Sequence, residues 1–272
     1  MSLPTWTPAA LSSEVLAYAG PVWRLVEAQH RVSTLKLVDT LEEQALLEEL
    51  LEESKPVLPP ECAGLDYLLA TPFRYGAVYP HGSRFRRAGR TPGVFYAAEA
   101  VTTALAEMAF YRLLFYAESP QTPYPANAAD FTAFSASVAT DAALDLTRAP
   151  LDRDAAFWTE PADYAACQAL SDAARDAGIA VIRYVSVRDP GRGANVALLS
   201  ATAFAAPKPL DRQTWRIRLS ARGVQAICEF PPARVEFARG LWQRSPPCRD
   251  RPIASPRPPR LAAVDFNPLP PR

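Results

Sequence analysis

Four short stretches within residues 73–107 gather side chains suited to one kind of chemistry: Phe73-Arg74-Tyr75-Gly76, Gly82-Ser83-Arg84-Phe85-Arg86-Arg87, Gly93-Val94-Phe95-Tyr96-Ala97-Ala98 and Ala104-Leu105-Ala106-Glu107. Guanidinium groups bind phosphate oxygens in pairs and stay charged at any cellular pH, so two arginines suit the two phosphates of a dinucleotide. A tyrosine at a strand end can stack on an aromatic heterocycle such as nicotinamide. A carboxylate on the following helix can bond ribose hydroxyls and stabilise the positive charge that grows as a glycosidic bond breaks. Each residue also has a plain structural role open to it: Tyr96 in a strand core, Glu107 on an exposed helix face, Arg84, Arg86 and Arg87 in a soluble turn. His81, beside Gly82, reads as a loop residue. Cys167 sits in an alanine-rich stretch without a basic neighbour in sequence, which argues against a nucleophilic thiol.

The elements that must position these residues form an α+β pattern. The first seventy residues read as helical, with one helix over 14–30 that Ser12 or Ser13 would cap. A second is opened by the capping box Thr40-Leu41-Glu42-Glu43 and carries Leu46, Leu47, Leu50 and Leu51 as an apolar stripe opposite a solvated glutamate face. Strands are expected near 68–75, 93–98, 131–138, 180–187, 196–199, 215–219 and 224–228. The helix carrying Glu107 would be capped by Thr102 or Thr103, with Ala104, Met108, Tyr111 and Phe115 on one face. Another helix, 162–177, would stop at Gly178. The pattern divides the chain into a helical N-terminal extension (1–66), a catalytic domain (67–244) and a tail (245–272). The tail holds nine prolines and five arginines and is expected to be extended or disordered.

Composition narrows the function. Lys plus Arg and Asp plus Glu both number 29, so no net field draws the chain to nucleic acid or an anionic membrane, and neither is an expected partner. The four cysteines form no C-x-x-C pair and only two histidines exist, so a metal site is not expected. The N-terminus lacks a basic start followed by an apolar run, and no window approaches about 18 uninterrupted apolar residues. A cytoplasmic location with reduced thiols is therefore expected.

The run R-Y-G, G-S-R-F-R, G-V-F-Y-A-A-E, A-L-A-E-M-A-F-Y-R resembles the RES domain family, named for its shared Arg, Glu and Ser. The stretch Val185-Ser186-Val187-Arg188-Asp189-Pro190-Gly191-Arg192-Gly193-Ala194-Asn195-Val196-Ala197-Leu198 is similar to that family's C-terminal motif. The likeness spans roughly residues 68–199. It implies an ADP-ribosyltransferase-like mixed β core with flanking helices, and the toxin half of a type II toxin–antitoxin pair. The implied activity is consumption of NAD⁺ as substrate by hydrolysis or phosphorolysis, without a metal. ADP-ribosyl transfer to a host protein, or a non-catalytic nucleotide-binding role, are the alternatives. By the same resemblance, Arg74 and Arg84 hold phosphates and ribose, Tyr96 stacks on nicotinamide, and Glu107 supports the nicotinamide ribose. Ser186 anchors ribose or a phosphate, Asn195 supports it, Tyr75 and Gly76 shape the cleft floor, and Arg112 is a further basic candidate. Only ten residues separate Arg74 from Arg84, a short spacing for the family, so Arg86 or Arg87 can stand in for either arginine. The implied partner is a small Xre-type helix-turn-helix antitoxin that blocks the cleft.

Overall fold

The computed structural model describes residues 4–27, 37–53, 56–74, 82–89 and 91–242. Tyr75, Gly76, His81 and the proline–arginine tail lie outside these residues.

Where the sequence suggests a helix over 14–30, the chain runs as the twelve-residue strand β1, Leu16–Glu27. Gly20 and Pro21 would interrupt a helix, while Val22, Trp23 and Val26 suit an extended chain. Ser12 caps nothing here; it ends the five-residue helix α1, Pro8–Ser12, whose cap is Thr7, accepting from the Ala10 N–H at 3.2 Å. The capping box forms as written. In helix α2, Leu41–Glu53, the Glu43 N–H donates to Thr40 Oγ1 at 3.1 Å, and Glu43 Oε2 accepts from the Thr40 N–H at 3.1 Å. No residue of α2 is buried, and Leu46 and Leu50 remain 56 % and 53 % exposed, so its apolar stripe does not dock in the way amphipathic helices usually do.

The strand expected at 68–75 is a helix, α3, Tyr67–Arg74. Asp66 starts it by accepting the Leu68 N–H at 2.9 Å on its carboxylate, and Leu69, Ala70 and Phe73 share its buried face at helical spacing. Strand β2, Phe95–Ala98, leads into α4, Val101–Glu118, which carries Glu107. Its N-cap is Ala100, not Thr102 or Thr103. The buried face of α4 runs through Leu105, Ala106, Ala109 and Leu113, so Tyr111 and Phe115 are exposed instead of inward.

Five more strands complete the sheet around a chain of helices: β3 Ala129–Asp145, β4 Val181–Val185, β5 Ala194–Leu198, β6 Arg212–Ser220 and β7 Gly223–Cys228. A sixth, β8 Ala233–Ala238, had no counterpart in the sequence reading. Between β3 and β4 lie α5, Ala155–Trp158, and α6, Ala165–Asp176, which ends as expected at Gly178 with a left-handed φ of +71°.

The strand order is β1-β2-β5-β4-β3-β6-β7-β8, and β1 also pairs with β3. The run β1-β2-β5-β4-β3 therefore closes on itself. Strand β3 makes this possible by its length: one edge follows β1, while the other pairs with β6 at 129–134 and with β4 at 143–145. Only β3 and β4 are parallel, and the crossover between them carries α5 and α6.

Three apolar clusters hold this frame. One draws Val22, Phe95, Phe134, Val181 and Leu198 from the five ring strands and is covered by Leu69 and Phe73 of α3. A second packs Ile182, Tyr184 and Ala197 against Cys167 and Leu170 of α6. The third joins Leu105 and Ala109 of α4 to Trp215, Val224 and Phe237. No described helix is long and apolar enough to cross a membrane.

Phe95 meets Phe204 edge-to-face at 5.0 Å and Phe134 at 6.3 Å, and is fully buried. Phe95→Ala should lower unfolding stability by about 3–5 kcal/mol, read as a reduced urea midpoint with an unchanged slope.

Candidate functional site

On the β2-β5-β4 face, strand register decides which side chains share a surface. Asn195 opposes Tyr184 on β4 and Ala98 on β2, and Tyr96 opposes Ala197 one step along. Directly opposed residues project to the same side, and so does Ser186, two residues after Tyr184. Helix α4 passes this face and brings Glu107 to it. Glu107 Oε1 accepts from Ser186 Oγ at 2.7 Å and from Asn195 Nδ2 at 2.6 Å. Among the described residues, the other carboxylate oxygen has no protein donor. The carboxylate is thus gripped on one oxygen and presented by the other.

Ser186 is fixed in turn. Its hydroxyl oxygen accepts the N–H groups of Arg188 (3.2 Å) and Asp189 (3.0 Å), so its proton is directed to Glu107. Asp189 closes the loop between β4 and β5 by accepting from Gly191 N–H at 2.8 Å, Gly193 N–H at 3.2 Å and Thr103 Oγ1 at 2.7 Å. Thr103 stands one turn before Glu107 on α4, so the same loop that carries Ser186 is clamped to the helix that carries the carboxylate. Tyr184, buried beneath, has its phenol pushed well above the usual range by burial and then by the Glu107 carboxylate, which keeps it neutral.

The tyrosine and the arginine turn meet the same face. Tyr96 exchanges a 2.8 Å hydrogen bond with Ser83 Oγ and accepts the Phe85 N–H at 2.9 Å. Ser83 and Arg86 close a tight turn, 2.7 Å from Ser83 N to Arg86 O, and Gln168 and Ser171 of α6 bond its carbonyls. Gly82 enters the turn at φ +66°, where a Cβ would lie 2.8 Å from Arg86 O. Arg84 is thereby sent inward, stacked 4.7 Å from the Tyr164 ring centre and within electrostatic reach of Tyr184.

The remaining candidates are spread out. Arg74 pairs with Glu52 of α2 and lines a groove of about 550 Å³ with Arg175, Ala180 and Leu199. Ala180 and Leu199 lie at the far end of the β4–β5 pair from Ser186, ~20 Å away along the strand rise. Arg86 bonds Thr91. Arg112 pairs with Glu27 at 2.5 Å and rests on Phe131, away from Glu107. Tyr75 and Gly76 lie outside the described residues. Cys167 is buried against Phe157 O and Trp158 O, and burial pushes its thiol up, which disfavours the thiolate. Asp189, Thr103 and Arg188 belong to the site without having been singled out. The Asp189-Pro190-Gly191 turn signal was visible in sequence, but its clasp on Thr103, 86 residues earlier, was not.

A model of the RES domain matches residues 58–220, more than half of the chain. The chain belongs to the RES domain family. No curated protein matches it. Among solved structures, a chain from the crystal structure of the M. tuberculosis MbcT–MbcA toxin–antitoxin complex is similar with a TM-score of 0.41 and 14% sequence identity, covering 88% of this chain and 95% of that one. Glu107 and Ser186, 79 residues apart in sequence, are thus directly bonded, with Arg84 near the same face beside Tyr184.

Gly193 is dictated by the same packing, since a Cβ there would stand 2.2 Å from Thr103 Oγ1 and 2.7 Å from Asp189 Oδ2. Gly193→Ala should cost about 1–3 kcal/mol through this overpacking. Gly191→Ala, whose nearest neighbour would be 3.3 Å away, should stay within about 0.5 kcal/mol. Thermal unfolding of the two variants checks this; equal midpoints would contradict the clamp.

Proposed function

We propose that this RES domain is the toxin of a toxin–antitoxin pair and cleaves the nicotinamide–ribose bond of NAD⁺, with an Xre-type helix-turn-helix antitoxin as its partner. The observation that carries the reading is the Glu107 carboxylate, held on one oxygen by Ser186 and Asn195 with the other oxygen available to a ligand.

Cleavage of this bond releases a neutral nicotinamide and leaves positive charge on the ribose C1′. A fixed carboxylate beside that carbon stabilises the charge without having to reorganise as it forms. Two donors on Oε1 orient the group, so the second oxygen faces the ribose. Tyr96 offers its ring to the nicotinamide while its hydroxyl stays tied to the Ser83–Arg86 turn. The guanidinium of Arg84 supplies charge for a phosphate. The acceptor of ADP-ribose in this reading is water or inorganic phosphate.

Purified protein incubated with NAD⁺ should release free nicotinamide, measured by chromatography. Glu107→Gln keeps the side-chain shape and removes the charge; it should slow release by about 10²–10³-fold while the circular dichroism spectrum is unchanged. No release from the native chain, or undiminished release from the variant, refutes the assignment. Label from NAD⁺ found on a protein would move the chemistry to ADP-ribosyl transfer.

A further inference from the structure

Beside the Glu107 cluster stand two buried arginines. Arg84 and Arg188 are 8 % and 6 % exposed. Among the described residues, neither has a carboxylate within ion-pairing distance. Each lies on an aromatic ring instead: Arg84 is 4.7 Å from the centre of Tyr164, and Arg188 is 3.6 Å from that of Phe110. Each directs donors to main-chain carbonyls of one short segment, and Arg84 also contacts Cys167 Sγ at 3.8 Å. Arg84 donates to Trp158 O at 2.7 Å and Glu160 O at 3.0 Å, and Arg188 to Pro161 O at 2.5 Å.

Carbonyl oxygens satisfy these donors but do not neutralise the charge, and a buried cation lacking an anion is costly. The two meet on one segment: their acceptors Glu160 and Pro161 are consecutive, with Cα atoms ~3.8 Å apart. Two guanidinium groups on neighbouring acceptors suit two linked phosphoryl groups, anions that arginine binds well. The pair also joins the reactive cluster directly, since the Arg188 N–H donates to Ser186 Oγ, which bonds Glu107.

The segment that fills this position is lightly held. Its ends are anchored, by Trp158 Nε1 on Leu151 O at 2.7 Å and by the Gln168 N–H on Tyr164 O at 2.8 Å at the start of α6. Between them, residues 160–163 pair with no strand. Their local bonds run from the Glu160 N–H to Phe157 O at 3.4 Å, from the Ala162 N–H to Glu160 Oε1 at 3.1 Å, from the Ala165 N–H to Asp163 Oδ1 at 2.9 Å, and from Tyr164 Oη to Pro161 O at 3.3 Å. Among the described residues, the long-range hydrogen bonds to 160–163 come from Arg84 and Arg188 alone.

We infer that Arg188 is the second arginine of a diphosphate seat whose first is Arg84, and that residues 160–163 are a strap whose carbonyls occupy the seat until the diphosphate of a dinucleotide displaces them. The seat rests on the NAD⁺ reading for the identity of the dinucleotide. Binding thus exchanges neutral carbonyls for anionic oxygens at both guanidinium groups and frees the strap.

The test is calorimetric titration of the full chain in the Glu107→Gln background, which slows turnover, with ADP-ribose and with nicotinamide riboside, which lacks phosphate. Arg188→Met keeps a long stem on Phe110 but removes the fork. It should weaken ADP-ribose at least about tenfold and leave nicotinamide riboside within about twofold. In the chain that retains Arg188, ADP-ribose should speed amide exchange at Glu160, Ala162 and Asp163. ADP-ribose affinity independent of Arg188, an equal loss for both ligands, or slower exchange in the strap would overturn the seat while leaving NAD⁺ cleavage standing. If the chain that retains Arg188 binds no ADP-ribose at all, the NAD⁺ reading falls, and the dinucleotide seat with it.

Discussion

Glu107 reaches across from α4 to two strands at once, and one carboxylate oxygen receives a donor from each: Ser186 from the end of β4 and Asn195 from the start of β5. A charge-assisted bond of this kind is stronger than a neutral one and more sensitive to position. Much of the surrounding architecture can be understood as keeping the three side chains in register. The antiparallel β4–β5 pair places Ser186 and Asn195 on one side of the sheet. The loop between them is drawn to α4 by Asp189 and Thr103. Third-cluster packing of α4 on β6–β8 sets the height of the helix over that sheet.

A second constraint is the disposition of buried positive charge. Arg84 and Arg188 are inside the fold, on aromatic faces, with main-chain carbonyls as their acceptors. By contrast, Arg183, three residues before Ser186 and on the opposite face of β4 from Tyr184, is paired with carboxylates. It forks onto Glu99 at 2.7 and 3.0 Å and bonds Asp145 and Thr147. Among the described residues, the two most buried arginines have no carboxylate partner, and both stand near Glu107.

What the sequence disclosed follows the range of the interactions. The Thr40–Glu43 capping box, the Gly178 stop and the strands β4 to β7 depend on neighbours a few residues away and were legible. Strand β1 was not, because its extended form is set by pairing with β3 more than a hundred residues later, and no local signal records that pairing. α3 was misread because a short apolar run bounded by turn residues fits a strand as well as a helix, and the Asp66 cap alone separates them. In the site, the residue types of Tyr96 and Glu107 were readable from their own stretch, whereas Ser186 and Asn195 were found only through family likeness. Arg188 lay inside a quoted motif, but its burial and its carbonyl partners belong to the tertiary fold. Arg74 carried the same chemical promise as Arg84, and only the folded chain shows that it lines a groove at the opposite end of β4–β5.

In the proposed reaction Ser186 and Asn195 act through a single oxygen of Glu107 to stabilise the charge that develops at the ribose C1′ as nicotinamide departs. The most direct measurement is the single-turnover rate of nicotinamide release for Ser186→Ala, Asn195→Ala and the double variant. If both donors work through Glu107 Oε1, each single change slows release and the double change costs less than the two losses combined. A double variant that releases nicotinamide as fast as the native chain would contradict the account.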